Sequence, residues 1–363
     1  MIEKSPDTRG SDERFALAGL EALPDPVIRV DSVPDLGVVA QAGLDRSWYR
    51  IAGRQRPAPL PPVADEGLPV RVALTRDPAC EVLSHRPRRR LVLRRRAPTG
   101  VVVETGLAPG RLRLAMSRHR VATSALAGTP LRGPRLVASA PERESFIVQD
   151  LDGGRPPIHP SSAEIFRMVG LGLRRLQEVQ PVACLPLLGV ADLLAEIDGL
   201  AAKVADLTGA LPDGWSSCRA EVGHLMQRLG ESSPVLCLRH LHDRHIAVSG
   251  QRVGVLDFSG LCLADPALDP GHLLAHLELR VLQGVDGSDA ESLARLSSAF
   301  MQGWGREIQV AQERLRAHRA VSLARLALEY SLRPRWRRIV PGLMRRCERW
   351  LGEPARHAQT SSR

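Results

Sequence analysis

The sequence predicts an α+β protein of two lobes, a β-rich lobe followed by a larger, mainly helical one. Apolar residues alternate with period two in several short runs before residue 153. A cluster of chain breakers, Asp152, Gly153 and Gly154, then marks a boundary. Beyond it the apolar residues follow helical spacing, and the 363 residues suffice for two lobes with cores of their own.

The β-rich lobe is predicted to span residues 66–153. Alternating or β-branched runs predict its strands at residues 70–74, 91–96, 101–105, 136–138 and 146–148. Arginines are dense between residues 86 and 96. Their ordinary interpretation is a solvated sheet face, and an anion-binding face is the alternative.

The two ends of the chain carry weaker patterns. Residues 1–65 are rich in Pro, Asp and Ala and predict an amino-terminal extension. This extension should end in an extended proline-rich linker at residues 57–62, because proline breaks helices and strand ladders. Residues 356–363 are expected to form a disordered tail.

The helical lobe is predicted to span residues 154–355. Helical spacing of apolar residues indicates helices near residues 163–177, 190–207 and 218–229, and again from residue 290 to the end. A strand at residues 235–238 and a hairpin at 246–258 interrupt this pattern. Leu176, Leu256 and Phe258 lie on the apolar sides of their elements, so we predict that all three are core residues.

Composition limits the choice of partners. The formal net charge is +10, but lysine occurs only at Lys4 and Lys203 and asparagine not at all. A GC-rich genome explains this preference for arginine, so we do not expect a nucleic-acid partner. The six cysteines form no C-x-x-C pair, which favours reduced thiols in a cytoplasmic protein. No run of about 18 uncharged apolar residues predicts a membrane span.

The segment from Cys237 to Arg280 carries three anchors in a fixed order. These anchors are Leu241-His242, Val255-Leu256-Asp257-Phe258 and Asp265-Pro266-Ala267-Leu268-Asp269. In this arrangement the chain resembles aminoglycoside phosphotransferases and the related choline-kinase-like enzymes, over roughly residues 80–352. The resemblance implies a bilobal protein-kinase-like fold, ATP and magnesium as cofactors, and a small hydroxyl-bearing substrate. It also implies that Asp265 and Asp269 cap helices or brace the catalytic loop.

The residues expected to carry out phosphoryl transfer depart from this family pattern. The reaction needs a carboxylate near the substrate hydroxyl and oxygen ligands for magnesium. By resemblance, His240 stands in the place of the proton-accepting aspartate and His245 in that of the metal-binding amide. Asp257 is the retained metal-binding acid, and Ser259 replaces a frequent second acid. No lysine is present near Glu104, where the family has one for the ATP phosphates.

Four hypotheses follow from these departures. The first is a degenerate, pseudokinase-like protein that binds a small hydroxyl-bearing molecule or a protein partner. The second is a divergent phosphotransferase with His240 as its base and Asp257 as its metal ligand. The third is a transition-metal site formed by His240, His245 and Asp257. The fourth is a binder of nucleic acid or of another acidic surface that uses the arginines of residues 333–349.

Overall fold

The computed structural model describes residues 23–352 apart from residues 25–26, 34–35, 44–45, 53–55, 78, 99, 181–183 and 306–308. The predicted α+β architecture is confirmed, with sheets concentrated in the first part of the chain and long helices in the second. The predicted tail at residues 356–363 lies outside the described residues. No helix in the described part is both long and apolar enough to cross a membrane.

An antiparallel four-stranded sheet occupies part of the predicted amino-terminal extension. Its strands pair in chain order: β1 (Val27–Val33), β2 (Gly37–Ala42), β3 (Ser47–Ile51) and β4 (Ala58–Pro59). No strand was predicted here, where residues 1–65 were expected to form an amino-terminal extension and linker. Val39, 0% exposed, packs locally with Val33 and Trp48, whereas Ala40, also 0% exposed, belongs to the large core formed with distant helices. Residues 1–22 of the predicted extension lie outside the described residues.

The second sheet forms the β-rich lobe. Its strands are β5 (Glu81–Arg86), β6 (Arg90–Ala97), β7 (Gly100–Leu107), β9 (Leu136–Ala140) and β10 (Ser145–Gln149), with the short β8 (Leu131–Arg132) in another sheet. The order is β5-β6-β7-β10-β9, with every pair antiparallel. Four of the five predicted strands are confirmed by β6, β7, β9 and β10.

The predicted strand at residues 70–74 is wrong. A 3₁₀ turn (Pro69–Arg71) leads directly into the short helix α1 (Val72–Arg76). Pro69 has no N–H for a strand ladder and has a backbone φ suited to a first helical turn. Val70 is fully buried against Gly106, where an added Cβ would come within 1.9 Å of the Val70 side chain. A second helix, α2 (Leu112–Leu126), follows β7 and was also not predicted.

The helical lobe contains the predicted helices and the predicted hairpin. Its helices are α3 (Ala163–Gln177), α4 (Val190–Thr208), α5 (Trp215–Leu229), α6 (Leu268–Gln283), α7 (Ala290–Trp304), α8 (Gln309–Ser331) and α9 (Val340–Gly352). Its strands are β11 (Leu187–Leu188), β12 (Val235–Cys237), β13 (Ile246–Ser249), β14 (Arg252–Val255) and β15 (Cys262–Ala264). Strands β13 and β14 form the hairpin. Helix α6 was not predicted.

Helices α3 and α7 cross at close range because glycines face each other's backbones. A Cβ on Gly170 would lie 2.2 Å from the Phe300 carbonyl oxygen, and one on Gly303 would lie 1.9 Å from the Arg167 carbonyl oxygen. The core beside this crossing contains Leu176, which is 0% exposed as predicted. The packed pair of helices therefore supports β12 and the loop that follows it.

The amino-terminal sheet contacts both lobes. The Trp48 indole Nε1–H donates to the His85 carbonyl oxygen of β5 at 2.8 Å. On the other side, the Val30 N–H donates to the Leu332 carbonyl oxygen at 2.9 Å, and Lys203 of α4 forms an ion pair with Asp31. The sheet thus links the β-rich lobe to the helical lobe.

Candidate active site

The loop between β12 and β13 is anchored by a buried carboxylate from α6. Asp269 is 0% exposed, and its Oδ2 accepts the Leu238 N–H at 2.6 Å. Burial raises the pKa of Asp269 to about 7, although backbone N–H groups of the loop act in the opposite direction. Asp265 accepts the Ala267 N–H at 2.8 Å and forms an ion pair with Arg314. Asp269 therefore contacts the loop and Asp265 the turn before α6, whereas no side chain of the described residues caps the start of α6.

Asp257, immediately after β14, is already bound by groups of the protein itself. The Arg90 guanidinium of β6 donates to Asp257 Oδ2 at 2.9 Å, and the Ser259 N–H donates to Asp257 Oδ1 at 2.8 Å. Burial raises the pKa of Asp257, but Arg90 and then His245 outweigh burial and hold it well below its ordinary value. The carboxylate is therefore ionised and paired across the two lobes.

One of the two predicted site histidines, His245, lies beside this pair. The His245 Nε2 is 3.9 Å from Asp257 Oδ2, and burial lowers the pKa of His245. Burial, and then the nearby Arg325, lower the pKa of His240 to about 3. The imidazole of His240 is therefore neutral at ordinary pH. The structure thus places His245 next to the retained acid, and Asp257 is near enough to His240 to influence its pKa.

Three more histidines, His242, His272 and His276, lie near these two and extend the cluster into the protein interior. The ring of His242 stacks on that of His245 at 3.8 Å between centroids and on that of His276 at 4.7 Å. His272 lies 4.6 Å from His276 and 5.9 Å from His240. Sequence reasoning missed His272 and His276, although their four-residue spacing places them on one face of a helix. Burial lowers the pKa of both well below the ordinary value.

Within the described residues, His242, Asp243 and His276 form a group that could bind a metal ion. Their possible ligand atoms all lie within 4.8 Å of one another. It differs from the predicted set of His240, His245 and Asp257. The Asp243 carboxylate is fully buried and is held by Arg280, with a contact of 3.0 Å from Arg280 Nε to each oxygen. This carboxylate therefore already has a charged partner.

Two further sets of contacts made by residues of the β-rich lobe were not predicted. The Arg118 guanidinium of α2 donates to the Ser259 carbonyl oxygen at 2.6 Å. The Glu104 carboxylate, where the resemblance leads one to expect a lysine nearby, is 1% exposed and accepts the Ser145 hydroxyl at 2.7 Å. Arg95 and Arg143 each lie 3.3 Å from it. The dense arginines near β6 thus include residues that bind acids of this chain.

Comparisons with known proteins agree with this fold. The sequence profile of the phosphotransferase enzyme family (APH) matches residues 81–318, well over half of the chain. No curated protein sequence matches. Among solved structures, a choline/ethanolamine kinase family protein from Mesorhizobium loti is 18% identical, with a TM-score of 0.53 over 76% of this chain and 88% of its own.

Two further solved structures are similar to this chain. Choline kinase LicA from Streptococcus pneumoniae is 12% identical, with a TM-score of 0.51 over 75% of this chain and 92% of its own. Amicoumacin kinase hAmiN, solved with AMP-PNP, Ca²⁺ and Ami, is 13% identical, with a TM-score of 0.52 over 75% of this chain and 87% of its own. At these identities the likeness establishes the fold.

Proposed function

Because this chain belongs to the phosphotransferase enzyme family, we propose that it is a degenerate member, a kinase-fold protein that binds its ligand or regulates a partner without efficient phosphoryl transfer. One observation carries the proposal: the Arg90 guanidinium binds Asp257, the retained acid of the metal loop, at 2.9 Å. A cation of the protein itself thus holds the carboxylate that magnesium would need.

Magnesium does not fit the residues around Asp257. The ion prefers oxygen ligands in an octahedral arrangement. One Asp257 oxygen binds Arg90, the other accepts a backbone N–H, and His245 offers nitrogen rather than an amide oxygen. Phosphoryl transfer depends mainly on positioning and on neutralising phosphate charge, so we derive no catalytic step through a magnesium ion at this site.

His240 is a poor substitute for the proton-accepting carboxylate. A general base works best when its pKa lies near the operating pH. Burial, reinforced by Arg325, lowers the pKa of His240 to about 3, so this imidazole has little tendency to take a proton from a hydroxyl group. The alternative function is a divergent phosphotransferase with His240 as base. It would have to work with a weak base and with a metal ligand, Asp257, that Arg90 already binds.

The ATP phosphates also lack their usual cation. Glu104 is buried near the expected lysine position, and Arg95 and Arg143 are paired with it. Since these two guanidiniums already balance a buried carboxylate, neither replaces the lysine without leaving that charge uncompensated. We therefore propose that ATP binding, where it occurs, is weak and independent of magnesium.

The ligand class we propose is a small hydroxyl-bearing molecule, with a protein partner as the alternative. The similar structures are named for choline, ethanolamine or amicoumacin, all of them small molecules. We further propose a cytoplasmic location, in keeping with cysteines that form no C-x-x-C pair.

The test of this proposal is whether magnesium strengthens ATP binding. Isothermal titration with ATP, with and without Mg²⁺, should give the same weak affinity for the unmodified protein. Arg90→Ala frees Asp257 and should introduce a dependence on Mg²⁺, whereas Arg96→Ala, an exposed arginine of the same strand, should not. Magnesium-dependent tight binding by the unmodified protein would contradict the proposal.

A further inference from the structure

Two buried thiols that are not part of the candidate active site lie in contact. Cys218 of α5 and Cys347 of α9 have their Sγ atoms 2.9 Å apart, and the residues are 1% and 0% exposed. Non-bonded carbon atoms rest at about 3.5–4.0 Å, and sulfur is larger than carbon. The two helices therefore bring these sulfurs closer than an ordinary packing contact, toward the spacing of a covalent bond at about 2.0 Å.

We propose that Cys218 and Cys347 are an oxidation site that forms an intramolecular disulfide, with a peroxide as the oxidant. One thiol attacks hydrogen peroxide, which breaks the O–O bond, gives a sulfenic acid and releases water. The second thiol attacks that sulfur, forming the S–S bond and releasing a second water. Two electrons pass from the sulfurs to the peroxide oxygens, and both thiol protons end in water.

The surroundings of Cys347 affect the rate of this reaction. The Cys347 Sγ also lies 3.4 Å from the Ala320 carbonyl oxygen of α8, to which its S–H donates. Contact with Cys218, and then burial, raise the pKa of the Cys347 thiol. Because the thiolate is the reactive form, oxidation should be slow at neutral pH and faster in alkaline solution. The site is therefore a slow-forming cross-link rather than a catalytic thiol.

The cross-link would join distant parts of the helical lobe. The two cysteines are 129 positions apart, and the chain between them includes the whole candidate catalytic loop and α6. A disulfide that closes a long loop restricts the unfolded chain more than the folded one. We expect the oxidised protein to melt roughly 5 °C above the reduced protein.

The test is peptide mapping of the folded full-length protein after treatment with dilute hydrogen peroxide. The expected product is a peptide pair joined through Cys218 and Cys347, lighter by two hydrogen atoms and separated by a reductant. Cys237 and Cys262 are a matched internal control, because they are buried and stand opposite each other on β12 and β15. They should remain unlinked.

Melting curves of variants supply the second readout. The oxidant-dependent rise in Tm should disappear in Cys218→Ala and persist in Cys184→Ala, which removes an exposed thiol. Absence of the Cys218–Cys347 peptide from the oxidised unmodified protein would overturn the proposal, whether or not the variants fold. If a Cys237–Cys262 disulfide formed in the same yield as the Cys218–Cys347 disulfide, the oxidation would not be selective, and the proposal of a specific site would be contradicted.

Discussion

Phe258 and Leu256 flank Asp257 but should respond oppositely to truncation. Phe258 is 4% exposed, its ring centroid lies 5.4 Å from that of His119, and its Cζ would be 2.9 Å from a Cβ on Gly133. Removing a buried phenylalanine side chain loses its transfer free energy and leaves a cavity, so Phe258→Ala should lower the free energy of unfolding by about 3–5 kcal/mol. Leu256 is 42% exposed, and Leu256→Ala should cost less than about 1 kcal/mol.

Urea unfolding followed by fluorescence and by circular dichroism measures both changes. The two probes must give coincident transitions for the free energies to be compared. Leu256→Ala serves as the control, because it truncates an apolar side chain two residues away in the same segment. A loss below about 1 kcal/mol for Phe258→Ala, or equal losses for the two variants, would refute the assigned burial.

Three further predictions use the same unfolding assay or an activity assay. Arg280→Ala should lower the free energy of unfolding by about 3–5 kcal/mol, because Asp243 would remain buried without its main partner. An unchanged urea concentration at the midpoint of unfolding would contradict this. The pKa of Asp269 is about 7 in the folded protein, so the unfolded chain releases this proton first as the pH rises. Stability should therefore fall as the pH rises from about 4 to about 7, by about 4 kcal/mol. Asp269→Asn should remove this slope, and a slope that persists would show that another group causes it. His240→Asp alone should restore little ATP turnover, since several deficits act together; recovery to ordinary rates would disprove it.

The parts of the fold predicted correctly are those with local signals. Alternating apolar residues mark β6, β7 and the β13–β14 hairpin, and helical spacing marks α3, α4 and α5. The order of the family anchors predicted that Asp257 and the loop histidines would meet. These features depend on residues close together in sequence, so a pattern reveals them.

The parts that escaped prediction depend on distant contacts. Strands β1–β4 are short, and several apolar residues of β1, β2 and β3 pack against helices more than a hundred residues later in the chain. Leu256 was predicted to be buried from its strand pattern, but β14 ends at Val255 and Leu256 lies beyond it. That prediction is wrong, because alternation no longer fixes the direction of a side chain once the strand has ended.

The Arg90–Asp257 pair shows the same limit at the candidate site. The two residues are 167 positions apart, and Arg90 stands among several arginines that resemble a solvated sheet face. Only the packing of one lobe on the other selects this arginine. The retained acid was identifiable from the sequence, whereas the cation that binds it was not.

The central claim is tested most directly by ATP turnover of the unmodified protein across a panel of amino-sugars and amino-alcohols. With Asp257 held by Arg90 and a weakly basic His240, we predict no saturable phosphoryl transfer to any of them. Saturable turnover near the ordinary enzyme median of about 10 s⁻¹ on any one of them would contradict the degenerate assignment.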